Sequence, residues 1–185
     1  PEFWEALQSI WQDMVAGKMY VTGGIGSRYS GEAFGETYEL PNLLSYAETC
    51  AAVGSMMWNW RMLAVTGDSR HADLFERVLY NGFLSGVSLD GEEYFYVNPL
   101  ESLGNHARRE WYECTCCPPN VARMLASLPA YFYSTDPDGI WVHLYDNSLA
   151  QLSLGGGLQV LVEQRTRYPW DGEVDLKVSP CRTGT

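Results

Sequence analysis

Two hydrophobic periodicities divide this chain, and one packed layer cannot satisfy both. Up to about Phe132 the apolar residues recur at helical spacing, three or four apart. Beyond the turn-rich break Thr135-Asp136-Pro137-Asp138-Gly139 they alternate, as in Ile140-Trp141-Val142-His143-Leu144-Tyr145. Helical spacing places a stripe on one side of a cylinder, whereas alternation places every second side chain on one face of a sheet. A helical region followed by a run of strands reads as two domains. The expected fold class is therefore mainly α followed by β, with domains at residues 1–137 and 138–185.

In the first region Phe3, Trp4, Leu7, Ile10, Trp11, Met14 and Val15 predict a helix over residues 2–17. A second helix is predicted over 44–65, where Val53, Met56, Met57, Trp58, Trp60, Met62 and Leu63 cover most of the circumference and imply burial on nearly all sides. Gly67 should stop it, with Asp68 or Ser69 capping a third helix over about 70–85. Tyr94-Phe95-Tyr96-Val97 reads as a short strand, and Pro118-Pro119 suit the first turn of a fourth helix with a stripe at Val121, Leu125, Leu128 and Phe132. Strands are expected at 140–145, 149–154, 158–166 and 174–178. These are too few to close a sandwich, and a start at Pro1 that enters a helix almost at once reads as a piece of a longer chain.

The charge narrows the partners. Twelve basic residues stand against 23 acidic ones, a formal charge of -11. That balance disfavours nucleic acid and anionic membrane, and no apolar run is long enough to span a bilayer. A neutral small molecule fits better. Seven Trp and twelve Tyr offer faces for sugar rings, although aromatic side chains more often fill cores. The glycine run Gly23-Gly24-Ile25-Gly26 lacks the ending and the setting of a phosphate-binding loop. The oligomeric state is not legible.

Three of the five cysteines fall within four positions, in Glu113-Cys114-Thr115-Cys116-Cys117-Pro118-Pro119-Asn120. Cys50 lies far upstream beside a carboxylate, in Glu48-Thr49-Cys50. An odd number of thiols, two of them adjacent, favours reduced sulfur holding a metal over a disulfide framework, and reduced thiols favour a cytoplasmic setting. A thiol at a helix start also faces aligned backbone N–H groups, which should favour its anion. Zinc takes four donors from Cys, His and carboxylate. Glu48 with Cys50, and the 114–117 run, offer such donors provided each pair sits where irregular backbone meets a helix start. The spacing is not that of a zinc ribbon, so Cys50 as a small core residue and a metal site confined to the run both stay open. Glu32, Glu36 and Glu39 could equally be solvated loop carboxylates, and His71, His106 and His143 are isolated.

Five strings in order carry a resemblance: Tyr-Val-Thr-Gly-Gly-Ile-Gly-Ser (20–27), Gly-Glu-Ala-Phe-Gly (31–35), Tyr-Ala-Glu-Thr-Cys-Ala (46–51), Phe-Tyr-Val-Asn-Pro-Leu (95–100) and Cys-Cys-Pro-Pro-Asn-Val-Ala-Arg (116–123). With Tyr-Pro-Trp-Asp-Gly (168–172) they span almost the whole chain and resemble glycoside hydrolase family 127, the β-L-arabinofuranosidases. The resemblance implies part of an (α/α)6 barrel joined to the start of a β-sandwich, and a carbohydrate substrate. It implies retaining hydrolysis by a zinc-bound cysteine. Carried over motif by motif, Cys116 resembles the nucleophile, and Glu48, Cys50 and Cys117 the other zinc ligands. Glu32 resembles the general acid/base, and Tyr96 a tyrosine that contacts substrate. Members are several times longer, so much of the sugar pocket should come from segments without a counterpart here.

Overall fold

The computed structural model describes residues 2–181 and divides the chain into two compact units, Pro1–Ala126 and Ser127–Thr185. The first is helical and the second is built of strands.

Helix α1 (Glu2–Gly17) follows the predicted range, but its stripe is only half seated. Trp11, Met14 and Gly17 are buried while Phe3, Leu7 and Ile10 stay exposed. Helix α2 (Thr49–Thr66) begins five residues later than its apolar pattern implied, because residues 44–48 are irregular and Glu48 is the N-cap in extended conformation. It buries Val53, Met56, Met62 and Leu63, leaving Gly54, Arg61 and Ala64 exposed and Trp58 and Trp60 half-buried, so burial is broad but not complete. The Trp11 indole donates to Asn59 Oδ1 at 2.9 Å and ties α1 to α2 inside the core.

Gly67, left-handed at φ +66°, ends α2, and Asp68 caps α3 (Ser69–Arg77) by accepting from the Arg70 N–H. The helical path continues as a π turn over Val78–Phe83 and a 3-10 turn over Leu84–Gly86. Helix α4 (Cys117–Ser127) has both prolines in its first turn, as expected, but its buried stripe runs through Val121 and Met124 while Leu125 is exposed.

The strand expected at Tyr94–Val97 is not one. Tyr94 makes single bridges to Val87 and Arg109, after which the backbone bends away. Its groups are instead bonded to the start of α2: Thr49 N–H donates to Tyr96 O at 3.0 Å, and Thr49 Oγ1 donates to Phe95 O at 2.7 Å. The strand-forming residues there bond to a helix N-terminus rather than to a neighbouring strand.

In the second unit β1 (Tyr133–Thr135) pairs antiparallel with β2 (Ile140–Val142) around the turn at 136–139. Strands β3 (Ser148–Ser153), β4 (Gln159–Thr166) and β5 (Val174–Pro180) form an antiparallel sheet in that order. On β4 alternation turns Val160, Val162 and Gln164 inward, and buried Gln164 donates to Leu144 O at 3.2 Å. Among the described residues no helix is long and apolar enough to cross a membrane.

Candidate metal centre and acid/base pair

Two junctions between irregular backbone and a helix start meet in the first unit. At one, Glu48 caps α2 and Cys50 lies in its first turn. At the other, Cys117 opens α4 and the Cys116 carbonyl accepts the first intrahelical bond, from Asn120 N–H at 3.1 Å. One donor atom from each of Glu48, Cys50, Cys116 and Cys117 lies within 4.8 Å of all the others. Segments 67 residues apart in sequence thus converge, and Cys50 belongs to the cluster rather than to the apolar core.

The four groups are largely each other's partners. Cys50 Sγ lies 3.4 Å from Cys117 Sγ, Cys116 Sγ lies 3.2 Å from Glu48 Oε1, and the two adjacent sulfurs are 3.6 Å apart. Glu48 is only 8% exposed, and a carboxylate that is buried needs a compensating charge or donor. Three sulfurs and one carboxylate oxygen, gathered in one place and half-withdrawn from water, form a donor set that suits a tetrahedral thiophilic cation. The residues present therefore fit a metal ion.

The thiols divide in acidity. Hydrogen bonding from Cys117 brings Cys50 down to about 7, with Asn120 Nδ2 donating to it at 3.0 Å. Burial pushes Cys116 up to about 12, and the neighbouring Cys50 sulfur raises Cys117 above the ordinary thiol range. At Cys116 desolvation is the largest influence, and hydrogen bonds with Cys50 and Glu48 push the same way.

Glu32 lies outside this cluster, on a tight turn whose ends are the mutual bonds of Arg28 and Ala33 at 3.1 Å. It is exposed and left-handed, at φ +49°. Two tyrosines reach its Oε1: Tyr46 OH donates at 2.7 Å, and Tyr96 OH stands at 3.5 Å. Tyr96 OH also points to Cys114 Sγ at 3.6 Å and is hydrogen-bonded with Cys116, whose sulfur raises the phenol's pKa well above its ordinary value. Tyr96 therefore stands between the turn that carries Glu32 and the cysteine run. Burial does the same to Tyr46, which stays a donor.

All six residues singled out in the sequence lie in this region. Tyr46 was missed as a participant, although its string 46–51 had been noticed; a tyrosine beside a metal-ligand pair reads as core until its hydroxyl partner is known. Cys114 is exposed beside Tyr96 and stands outside the cluster. Glu39 is bound by Arg28, whose Nε and Nη2 donate at 2.7 and 2.6 Å. His106 stacks on Phe95 and faces Val97 O, lining a separate cavity of about 330 Å³. His71 is fully buried against Trp11.

Comparison with known proteins identifies the family. Residues 1–130 match the family model described as beta-L-arabinofuranosidase, GH127 catalytic domain. A non-reducing end beta-L-arabinofuranosidase of Bifidobacterium longum is 40% identical over 189 residues, covering 95% of this chain and 28% of that protein. A solved GH127 beta-arabinofuranosidase superposes with a TM-score of 0.92 at 48% identity, covering 95% of this chain and 27% of its own. The GH127 beta-L-arabinofuranosidase of Geobacillus stearothermophilus superposes with a TM-score of 0.88 at 44% identity, covering 94% and 29%. The chain thus spans somewhat over a quarter of the length of these relatives.

Proposed function

The chain belongs to the GH127 catalytic-domain family of β-L-arabinofuranosidases, and we propose that it carries the reacting groups of a retaining glycosidase that releases terminal L-arabinofuranose from glycans. Residues 1–137 are read as the closing part of an (α/α)6 barrel and residues 138–185 as the first strands of a β-sandwich. The broad apolar surface of α2 supports the first part of that reading, and the turn from helices to antiparallel strands supports the second.

The observation that carries the proposal is that Tyr96 OH approaches both Glu32 and the cysteine run, beside four donors gathered within 4.8 Å. Retention requires a nucleophile on one side of the anomeric carbon and a proton donor at the leaving oxygen. In the first half-reaction Cys116 Sγ bonds to the anomeric carbon as the bond to the glycosidic oxygen breaks. Glu32 gives its proton to that oxygen. In the second, Glu32 takes a proton from water, the water oxygen bonds to the anomeric carbon, and the carbon–sulfur bond breaks. Two inversions restore the configuration. Tyr96 contacts the sugar between them. Glu48, Cys50, Cys116 and Cys117 would hold zinc, whose positive charge would keep these thiols deprotonated and ease departure of the Cys116 thiolate.

The test is zinc content and release of p-nitrophenol from p-nitrophenyl β-L-arabinofuranoside, in a protein of the relatives' length that carries this chain. Wild type should hold one zinc and turn over. Cys116→Ser and Glu32→Gln should both lose turnover, and equal activity in all three would remove both assignments. The share of the relatives' length covered, 28% for the Bifidobacterium protein, favours a second reading of the isolated 185 residues. On that reading they form a zinc-holding part without turnover of its own, and zinc uptake with no hydrolysis by the isolated chain is its expected result.

A further inference from the structure

Glu32 is badly placed to hold itself still. It is exposed, it sits at a left-handed φ of +49°, and its flexible side chain has no ion-pair partner among the described residues. Ordering such a side chain costs rotamer entropy, yet an acid/base must present one oxygen at a fixed place. The short 2.7 Å bond from Tyr46 OH is the group that orders it. The 3.5 Å approach of Tyr96 is at the outer limit of a hydrogen bond.

Tyr46 is itself fixed on every side. It is 7% exposed, its carbonyl accepts from Asn98 N–H at 3.1 Å, and the following Ala47 N–H donates to Gly26 O at 2.7 Å. Its ring meets the Tyr29 ring edge-on at 4.9 Å and the Tyr96 ring at 6.3 Å. Tyr29 belongs to the same turn as Glu32, so Tyr46 grips that turn twice, by ring and by hydroxyl. Ala47, at φ +36°, separates Tyr46 from Glu48. An alanine held there is strained and persists only where its surroundings over-determine it. Through this three-residue span one side chain fixes Glu32 and another joins the sulfurs.

Resting on the reading of Glu32 as acid/base, we propose that Tyr46 is a positioning residue: its phenol holds Glu32 Oε1 by a donated hydrogen bond, leaving Oε2 to exchange the proton with the leaving group and then with water. Oε2 has no protein partner among the described residues.

The experiment is a double-mutant cycle in a protein of the relatives' length carrying this chain, with Tyr46→Phe, Glu32→Gln and both together. Each is assayed on methyl and on p-nitrophenyl β-L-arabinofuranoside, with zinc content measured throughout. Tyr46→Phe keeps the ring contacts and removes only the hydroxyl. It should lower kcat on the methyl glycoside about 10- to 100-fold, the range for losing a hydrogen bond to a charged group, with KM little changed. The loss in kcat/KM, which reports the bond-breaking step alone, should shrink on p-nitrophenyl glycoside, whose leaving group needs little protonation. In the Glu32→Gln background, removing the hydroxyl should add nothing beyond about twofold, because residues that act as one unit are not additive. An equal loss in both backgrounds, or none in the wild-type background, overturns the proposal. So does loss of zinc in Tyr46→Phe, since the hydroxyl would then serve the Glu48 segment instead. Full activity of Glu32→Gln on both substrates sinks the acid/base reading itself, and that result is separate from any behaviour of Tyr46.

Discussion

The sulfur cluster and the Glu32 turn reach the same site by opposite routes. Glu48 and Cys117 are buried, and their neighbours are fixed by the starts of two helices. Glu32 is exposed on a turn and depends on side chains borrowed from elsewhere. Backbone geometry is enough to place ligands when helix N-termini supply it. A carboxylate on a turn needs a donor that is itself buried. The two halves should therefore fail differently when their supports are removed, and mutation can separate them.

The largest effect is expected at the cluster. Cys116→Ser should reduce turnover about 10⁴-fold or more, the scale on which removing a nucleophile acts. Three ligands remain, so zinc measured by atomic absorption should fall in affinity without vanishing. Glu32→Gln should cost about 10²- to 10⁴-fold on substrates with poor leaving groups, and its zinc content should equal that of wild type. A Glu32→Gln protein depleted in zinc would show that the turn and the cluster are one structural unit, and the contrast between them would collapse.

Glu48→Gln probes the cluster from the side of charge. The amide keeps one oxygen donor but removes the anion, and it should weaken zinc binding at least as much as the ~10- to 100-fold typical of outer-shell losses. Competition against a colorimetric chelator measures this. A variant that kept full affinity and full turnover would show that the carboxylate's charge contributes nothing to the balance among the sulfurs.

What the sequence disclosed follows the same division. Helix periodicity gave the range of α1 and the starts of α3 and α4, although the helix expected over about 70–85 leaves the α form after Arg77, and strand alternation gave β3, β4 and β5, because those elements are set by local pattern. Glu48 and Cys50 were placed at a junction because a shared metal forbids regular helix between them, and α2 does start at Thr49. Residues 44–48 were nevertheless read as helix, since their apolar content continues the stripe while the backbone there is committed to Gly26 and Asn98. The Tyr94–Val97 segment shows the same limit, for its partners lie about 47 residues away at the N-terminus of α2. Tyr46 was invisible for the reason that makes it interesting. A buried tyrosine's hydroxyl partner is a tertiary fact, and Glu32 is 14 residues distant.

The smallest expected effect lies on the turn's far side. Arg28 grips Glu39 with two nitrogens, and the Glu36 N–H also donates to Glu39, closing the loop on which Glu32 stands. Gly35 makes room for this, since a Cβ there would come within 2.5 Å of the Glu39 carboxyl carbon. Hydrogen bonding from Arg28, then from the Glu36 N–H, holds the Glu39 carboxyl down to about 2 from its ordinary 4.5. A carboxyl depressed in the folded state stabilises that state at pH above its unfolded value, and the contribution fades as pH falls from 4.5 toward 2. Arg28→Leu should move the Glu39 titration, followed by carboxyl carbon-13 shifts, upward toward 4.5. Because the pair is solvent-exposed, turnover at neutral pH should fall at most about fivefold, with zinc content unchanged. If turnover fell as far as in Tyr46→Phe, the turn would be held chiefly by its ion pair, and the buried tyrosine would lose its place as the support on which the acid/base depends.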